Sequence, residues 1–228
     1  MATKAIISYD GTVNDRDALM LGRLLAEAGL ALELAYVRHA AEPHWGDEVL
    51  QEHEAHRLLE IGARALGDLD VERRVVFNGS TAEGLRALAA EEGAGMLVFG
   101  SDYRTAAGHV CPQHSAQKLL EGGPVAIALA PADYSSDQIA RFGRIGLHAC
   151  AGDDGALATA RDLAESFGAR VTFGEPYVDV LVVGSRPEAS TGRVMISSQA
   201  QNAIENASCP VLVLPRGARI RFGVPIGA

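Results

Sequence analysis

The sequence predicts an α/β protein built from two doubly wound parallel sheets, of which the second is smaller. Short apolar segments alternate with helical segments through the first half, and strands separated by helices pair in parallel. Residues 97–101 (LVFGS) return 84 residues later as 181–185 (LVVGS), and the register then holds as far as Glu121 and Glu205. A repeat of this kind predicts two copies of one structural unit.

The first half contains signals for five strands and four helices. An apolar run at 5–9 ends in a turn at Asp10, and the helix that follows has an apolar face and stops at Gly29. A capping box from Ser80 to Glu83 predicts the start of the third helix. Further strands are predicted at 32–37, 71–77 (a half-exposed edge), 96–99 and 124–129, and further helices at 47–66 and 115–121.

The polar segment 134–143 predicts a linker between a complete domain (1–133) and a shortened one (144–217), which is followed by a tail (218–228). In the second half only residues 174–177 separate the apolar segment 171–173 from the next strand. A parallel crossover takes a dozen residues or more. We therefore expect 171–173 to be irregular, or else to turn back as an antiparallel hairpin, which leaves about three parallel strands. The tail either adds an edge strand or stays loose.

Composition restricts the class of protein. With 48% apolar residues and a formal net charge of −9, the chain can form a core but is poorly suited to bind nucleic acid or an anionic membrane. Three cysteines without C-x-x-C spacing are typical of a reducing compartment. We see no signal peptide and no apolar run of membrane-spanning length, so we expect a cytoplasmic protein.

Several short motifs lie in or beside the predicted strands. They are Tyr9-Asp10-Gly11-Thr12, Tyr36-Val37, Gly100-Ser101, G-H-V-x-P at 108–112, and C-P-V-L-V at 209–213. With these motifs the chain resembles a tandem universal stress protein with a shortened second repeat. The resemblance implies a Rossmann-like (adenine nucleotide alpha hydrolase-like) sheet of order 3-2-1-4-5. It also implies that the two units join through their fifth strands as an internal pseudo-dimer. The apolar sequence of the last strand in each half favours the same joint, because an exposed apolar edge strand tends to aggregate unless another strand pairs with it.

Nucleotide-binding members of that family carry a glycine-rich loop, Gly-x₂-Gly-x₉-Gly-Ser/Thr, whose backbone N–H groups hold phosphates. In this chain one of the four positions matches in the first half and two match in the second. The residues there are Gly100, Tyr103, Gln113 and His114, and then Gly184, Pro187, Ser197 and Ser198. Since the second half also lacks the second strand on which the nucleotide packs, we expect it to be non-binding.

The candidate ligand site in the first half is therefore incomplete. Asp10 and Val37 match the family's base and ribose side, whereas Gly100, His114 and Ser115 are what remains for phosphate. Asp10 could equally serve as a turn-former, and Gly100 as a strand-end turn that needs no Cβ. ATP or AMP is a candidate ligand, no cofactor is certain, and we predict neither a catalytic residue nor a metal site.

These observations predict a non-enzymatic stress-response or regulatory module whose degenerate cleft binds ATP weakly or not at all. The alternative is an ATP- or AMP-binding universal stress protein with slow ATPase activity. A third interpretation is a scaffold in which both halves serve assembly only. A small molecule, an unidentified protein and a second copy of the chain are the candidate partners.

Overall fold

The two halves of the chain share one continuous nine-stranded sheet of order β3-β2-β1-β4-β5-β9-β8-β6-β7. The structure is a computed structural model that describes residues 3–39, 47–67, 70–134, 141–150 and 152–223. The first five positions of this order confirm the predicted 3-2-1-4-5 arrangement of the first domain.

The first domain follows the predicted alternation closely, with helices on both faces of its strands. Its elements are β1 (Lys4–Ser8), α1 (Asp15–Glu27), β2 (Ala31–Arg38), α2 (Asp47–Ala65), β3 (Val71–Phe77), α3 (Thr81–Glu92), β4 (Met96–Gly100), α4 (His114–Leu120) and β5 (Ala126–Ala130). β3 is a half-exposed edge strand, as its partial alternation predicts.

The helix caps differ from the prediction. Ser80 is the N-cap residue of α3, but its side chain makes no capping hydrogen bond. The main-chain N–H of Ser80 instead donates to the side chain of Asn78, and Glu83 pairs with Arg86. The capping box therefore marks the position of the helix start but not the contacts that form there.

The second domain has the remaining elements and is joined to the first through their last strands. It contains β6 (Arg144–His148), α5 (Asp154–Phe167), β7 (Arg170–Thr172), β8 (Val180–Val183), α6 (Ser198–Glu205) and β9 (Val211–Val213). β5 and β9 pair antiparallel, with Ala128 opposite Leu212. Each covers the apolar edge of the other, which confirms the predicted joint.

The expectation for residues 171–173 is wrong: β7 is a parallel second strand, paired with β6. β7 and β8 lie on opposite sides of β6, about 10 Å apart at the usual strand spacing. β7 ends at Thr172, which lies opposite Gly146 of β6, and β8 starts at Val180, which lies opposite Ile145. The connection between β7 and β8 therefore runs back along the sheet by only one residue. The segment 173–179 can span that gap without a helix, since seven extended residues reach about 23 Å.

This short crossover passes directly over β6. A Cβ on Gly146 would lie 2.9 Å from the side chain of Val178, so the glycine leaves room for the crossing chain. Asp179 then fixes the return, since its carboxylate accepts the main-chain N–H groups of Gly143 and Arg144. The second half consequently has four strands rather than about three, and the expected lack of a second strand is also wrong.

Parts of the described chain outside the strands and helices also pack against the core. Of the predicted linker, residues 135–140 lie outside the described part, while Tyr134 and Phe142 on either side are buried. The tail neither forms an edge strand nor stays loose up to residue 223. Ile220 is buried, its N–H donates to Thr159, and Arg219 forms two hydrogen bonds with Asp162.

Two apolar cores cover the two faces of the sheet. One lies beneath α1, α2 and α5, and the other beneath α3, α4 and α6. Among the helices described, none is long and apolar enough to cross a membrane.

Candidate functional site

Asp10, Val37 and Gly100 lie at or just after the carboxyl ends of three adjacent strands, β1, β2 and β4, where open α/β sheets usually bind ligands, whereas His114 and Ser115 lie on α4. In the turn after β1, the main-chain N–H groups of Asp10, Gly11 and Thr12 point at one acceptor. That acceptor is the Oδ2 atom of Asp15, at 2.7, 2.7 and 3.1 Å. Three converging N–H groups form an anion-binding nest. In this chain the nest holds a carboxylate of the protein itself.

Asp15 is almost entirely buried, with 4% of its surface exposed. Burial, together with the negative charge of the neighbouring Asp10, raises the pKa of Asp15 to about 7, although the N–H donors oppose the shift. Asp10 itself is exposed and accepts the N–H of Thr12 at 3.0 Å. Its contact within the described residues is therefore that of a turn-former, one of the two roles expected for it.

Gly100 meets the first turn of α1 rather than open space. A Cβ on Gly100 would lie 2.2 Å from the main-chain oxygen of Asn14. The amide Nδ2 of Asn14 also donates to the carbonyl of Ser101 at 2.5 Å. Asn14 is the N-cap residue of α1, yet its side chain makes no capping bond. The side chain of Asn14 thus joins the chain after β1 to the chain after β4.

The serine that follows β4 and the equivalent serine that follows β8 each make a structural hydrogen bond. The hydroxyl of Ser101 donates to the carbonyl of Ala130 at 2.7 Å, and that of Ser185 donates to Leu214 at the same distance. Each oxygen also accepts a main-chain N–H from its own loop. Both serines are buried. The repeated Gly-Ser pair therefore connects the end of β4 to the end of β5 and the end of β8 to the end of β9.

The other candidate residues lie nearby but are not gathered around one point by any described contact. Val37 is buried and packs against α3, 3.1 Å from the position that a Cβ on Gly84 would take. His114 is exposed and Ser115 is half-buried in the first turn of α4, a helix of seven residues. The role of these two residues stays a prediction.

The equivalent place in the second domain contains a cavity of about 320 Å³ that we did not expect. Its lining includes Cys150, Asp153 and Pro187. Asp153 caps α5 through its Oδ1 atom, and its Oδ2 atom lies 2.2 Å from where a Cβ on Gly184 would stand. With Pro187 in place of a glycine, this cavity lacks one main-chain N–H of the family pattern, although Arg216 also lines it.

A cluster of acidic residues at the opposite, amino-terminal side of the sheet has the spacing of a metal site. One oxygen from each of Glu33, Glu72 and Glu92 lies within 4.8 Å of the others. The ammonium group of Lys4 contacts all three, at 3.2, 2.5 and 2.8 Å. Hydrogen bonds to Glu72 and Glu92 raise the pKa of Lys4. The lysine thus occupies the position that a cation would take.

The fold defines a class: a doubly wound α/β protein with two units joined through their last strands. Residues 175–215 match the model of the universal stress protein family. A universal stress protein from Archaeoglobus fulgidus DSM 4304 aligns with 94% of this chain and 98% of its own, at 14% identity and a TM-score of 0.57. A functionally unknown protein from Pseudomonas aeruginosa PAO1 aligns with 95% and 93%, at 15% identity and a TM-score of 0.61.

The resemblance to a tandem universal stress protein is thereby confirmed, by a family match in the second half and by the fold of the whole chain. No curated protein matches the sequence. A universal stress protein in complex with cAMP aligns with 43% of this chain and 75% of its own, at 22% identity. Its TM-score of 0.37 is too low to carry an argument about the ligand of this chain.

Proposed function

We propose that the chain is a non-enzymatic stress-response or regulatory module whose first-domain cleft binds ATP or AMP weakly or not at all. The observation that carries this proposal is the carboxylate of Asp15 in the N–H nest of residues 10–12. A phosphate would have to displace a buried side chain that already satisfies those donors. It would also place negative charge beside Asp10.

The bridge from Asn14 to Ser101 supports the same conclusion from the other side of the cleft. The phosphate loop between β4 and α4 has a single glycine of the family pattern, Gly100, and the main chain of Asn14 covers it. An ATPase needs bound phosphates and a metal ion that neutralises charge as it develops. Among the described residues of this cleft, the N–H nest is already occupied by Asp15, so it is not available to phosphate. Of these described residues, Asp10 is the one accessible carboxylate that could hold a metal ion.

Calorimetric titration of the purified protein with ATP and with AMP, each with magnesium, tests the proposal. We expect no measurable heat of binding, and no nucleotide released on denaturing the native protein. Copurified ATP, or a sub-micromolar dissociation constant, would overturn the proposal and favour the alternative of an ATP-binding protein.

The variant Asn14→Ala shows whether the bridge is what closes the cleft. If it is, the variant gains weak nucleotide binding that the wild type lacks. Phosphate release is measured in parallel for the wild type and for His114→Ala and Ser115→Ala. Hydrolysis by the wild type that either substitution abolishes would establish an ATPase and refute the non-enzymatic assignment.

A further inference from the structure

A cavity of about 630 Å³ lies between the two domains, and none of its lining residues lines the strand-end cavity of the second domain. It is bounded by the loop and helix that follow β4 and by the corresponding loop and helix that follow β8. Its volume lies within the range of small-molecule binding sites. None of the candidate residues Asp10, Val37, Gly100, His114 or Ser115 lines it.

The lining of this cavity repeats across the joint between the domains. Because β5 and β9 pair antiparallel, residues 84 positions apart in the two halves line the same cavity. Three such pairs matter here: Val110 with Val194, Gln117 with Gln201, and Glu121 with Glu205. The interdomain cavity is therefore a product of the internal repeat, and a ligand in it would contact both domains at once.

The chemistry of the lining is apolar at its base and acidic at its edge. Val110, Val194 and Leu120 are buried, whereas Glu121 and Glu205 are exposed. Among the described residues that line the cavity there is no lysine, arginine or histidine, although Arg193 at its edge donates to the carbonyl of Gly122. Gln201 donates to Glu205 at 2.7 Å, which orients one carboxylate and leaves its second oxygen available.

We infer that the interdomain cavity binds a small organic cation, with an apolar body against Val110 and Val194 and protonated amino groups on Glu121 and Glu205. Ammonium–carboxylate hydrogen bonds are stronger than neutral ones, and an apolar wall nearby lowers the local screening. The same two carboxylates disfavour an anion such as a nucleotide. This proposal does not rest on the proposed weak or absent nucleotide binding in the first-domain cleft, so either proposal can be refuted without the other.

The ligand would also strengthen the joint between the domains. At the edge of the cavity the N–H of Val194 donates to the carbonyl of Gly123 at 2.9 Å, and Arg193 donates to the carbonyl of Gly122 at 3.3 Å. These contacts already connect the two halves beside β5 and β9. A cation held by one carboxylate from each half adds a third connection, so the bound state should resist separation of the domains.

Calorimetry with three probes of similar length tests the inference: diaminooctane, octylamine and octanediol. We expect diaminooctane to bind, octylamine to bind more weakly, and the neutral diol to bind weakest, at least about tenfold below the diamine. Equal binding of diol and diamine would show an apolar cavity without cation preference and would overturn the inference. Absence of diamine binding would overturn it as well.

A matched pair of double variants assigns the binding to the carboxylates. Glu121→Gln with Glu205→Gln should weaken diamine binding at least about tenfold. Glu91→Gln with Glu165→Gln changes the net charge equally, at two exposed helix positions outside the cavity, and should leave binding unchanged. An equal loss in both variants would mean non-specific attraction to an acidic protein and would contradict the assignment.

Thiol modification locates the ligand within the native fold. Cys111 is exposed and lines the interdomain cavity, whereas Cys150 is exposed and lines a different one. Diaminooctane should slow the reaction of Cys111 with neutral iodoacetamide, followed by mass spectrometry, and leave the rate at Cys150 unchanged. Equal slowing at both cysteines, or slowing at neither, would place the ligand elsewhere.

Discussion

The α-carbon of Gly100 lies against the main-chain carbonyl of Asn14, so closely that a Cβ at position 100 would stand 2.2 Å from that oxygen. At the repeated position in the second domain, a Cβ on Gly184 would stand 2.2 Å from the side-chain Oδ2 of Asp153. Both glycines are therefore required by contacts within the chain. Their neighbours differ in mobility, because a main-chain oxygen at a helix start cannot move as freely as a carboxylate.

Replacing these two glycines should therefore cost different amounts of stability. Gly100→Ala forces a backbone shift, and we expect the free energy of unfolding to fall by about 3 kcal/mol, as for other overpacked sites. Gly184→Ala displaces a carboxylate that caps α5, which should cost about 1 kcal/mol. Urea unfolding measures both. Equal losses, or a larger loss at Gly184, would contradict the difference between backbone and side-chain neighbours.

The carboxyl of Asp15 should make stability depend on pH in an unusual direction. Its pKa is raised to about 7, above its ordinary value, so the native state retains a proton that the unfolded state releases. Its contribution is fully present below the ordinary pKa and is lost as pH rises through about 7. Relative to Asp15→Asn, which has no proton to lose, the wild type should become less stable between about pH 5 and pH 8.

Thermal unfolding at the two pH values measures this effect, which should amount to several degrees in the difference between wild type and variant. Asp70→Asn is the control, since Asp70 is exposed. Parallel pH profiles for the wild type and Asp15→Asn would show that the N–H donors, rather than burial and Asp10, dominate the titration of Asp15.

Lys4 should be among the most costly charged residues to replace. Its ammonium contacts the fully buried carboxylate of Glu33 at 3.2 Å, and Arg74 is the other cation near that carboxylate, at 3.5 Å. Lys4→Met leaves the charge of Glu33 poorly compensated, and removing one partner of a buried pair costs about 3 kcal/mol. Adding Glu33→Gln removes the uncompensated charge and should restore part of the lost stability.

A double-mutant cycle by urea unfolding measures the coupling of Lys4 and Glu33. Arg64→Met is the matched control, because the pair formed by Arg64 and Glu60 is exposed and should contribute less than about 0.5 kcal/mol. A loss for Lys4→Met no larger than that of Arg64→Met would refute a structural role for the cluster.

Local patterns in the sequence predicted most of the fold. The leucines of α1 lie on its buried face, β3 begins and ends at the predicted residues, and the helix before β2 stops at Gly29. The spacing of apolar residues predicts these features, because each of them depends only on which face of a single helix or strand is buried. The repeat predicted the joint of β5 with β9 for a similar reason, since an apolar end strand must be paired.

Features that depend on distant partners were predicted poorly. β7 was expected to be irregular or to turn back as an antiparallel hairpin, because the spacing rule assumes that a parallel crossover retraces the full length of a strand. The contact that makes the short crossover feasible, Val178 over Gly146, joins residues on different elements. Asn14 is the N-cap residue of α1, but its amide reaches Ser101 instead of capping the helix.

By itself the sequence determined the order of elements, the two-unit architecture and the family that the chain resembles, because burial periodicity and a gap-free repeat are written in neighbouring residues. It also showed that the phosphate glycines are incomplete. Only the tertiary structure decided what the remaining glycine and the aspartates after the first strand contact: Gly100 meets Asn14, and Asp15 accepts the N–H groups of the nest beside Asp10. The role of a glycine or of a main-chain N–H depends on which atoms the fold places next to it, and these atoms come from other elements of the chain.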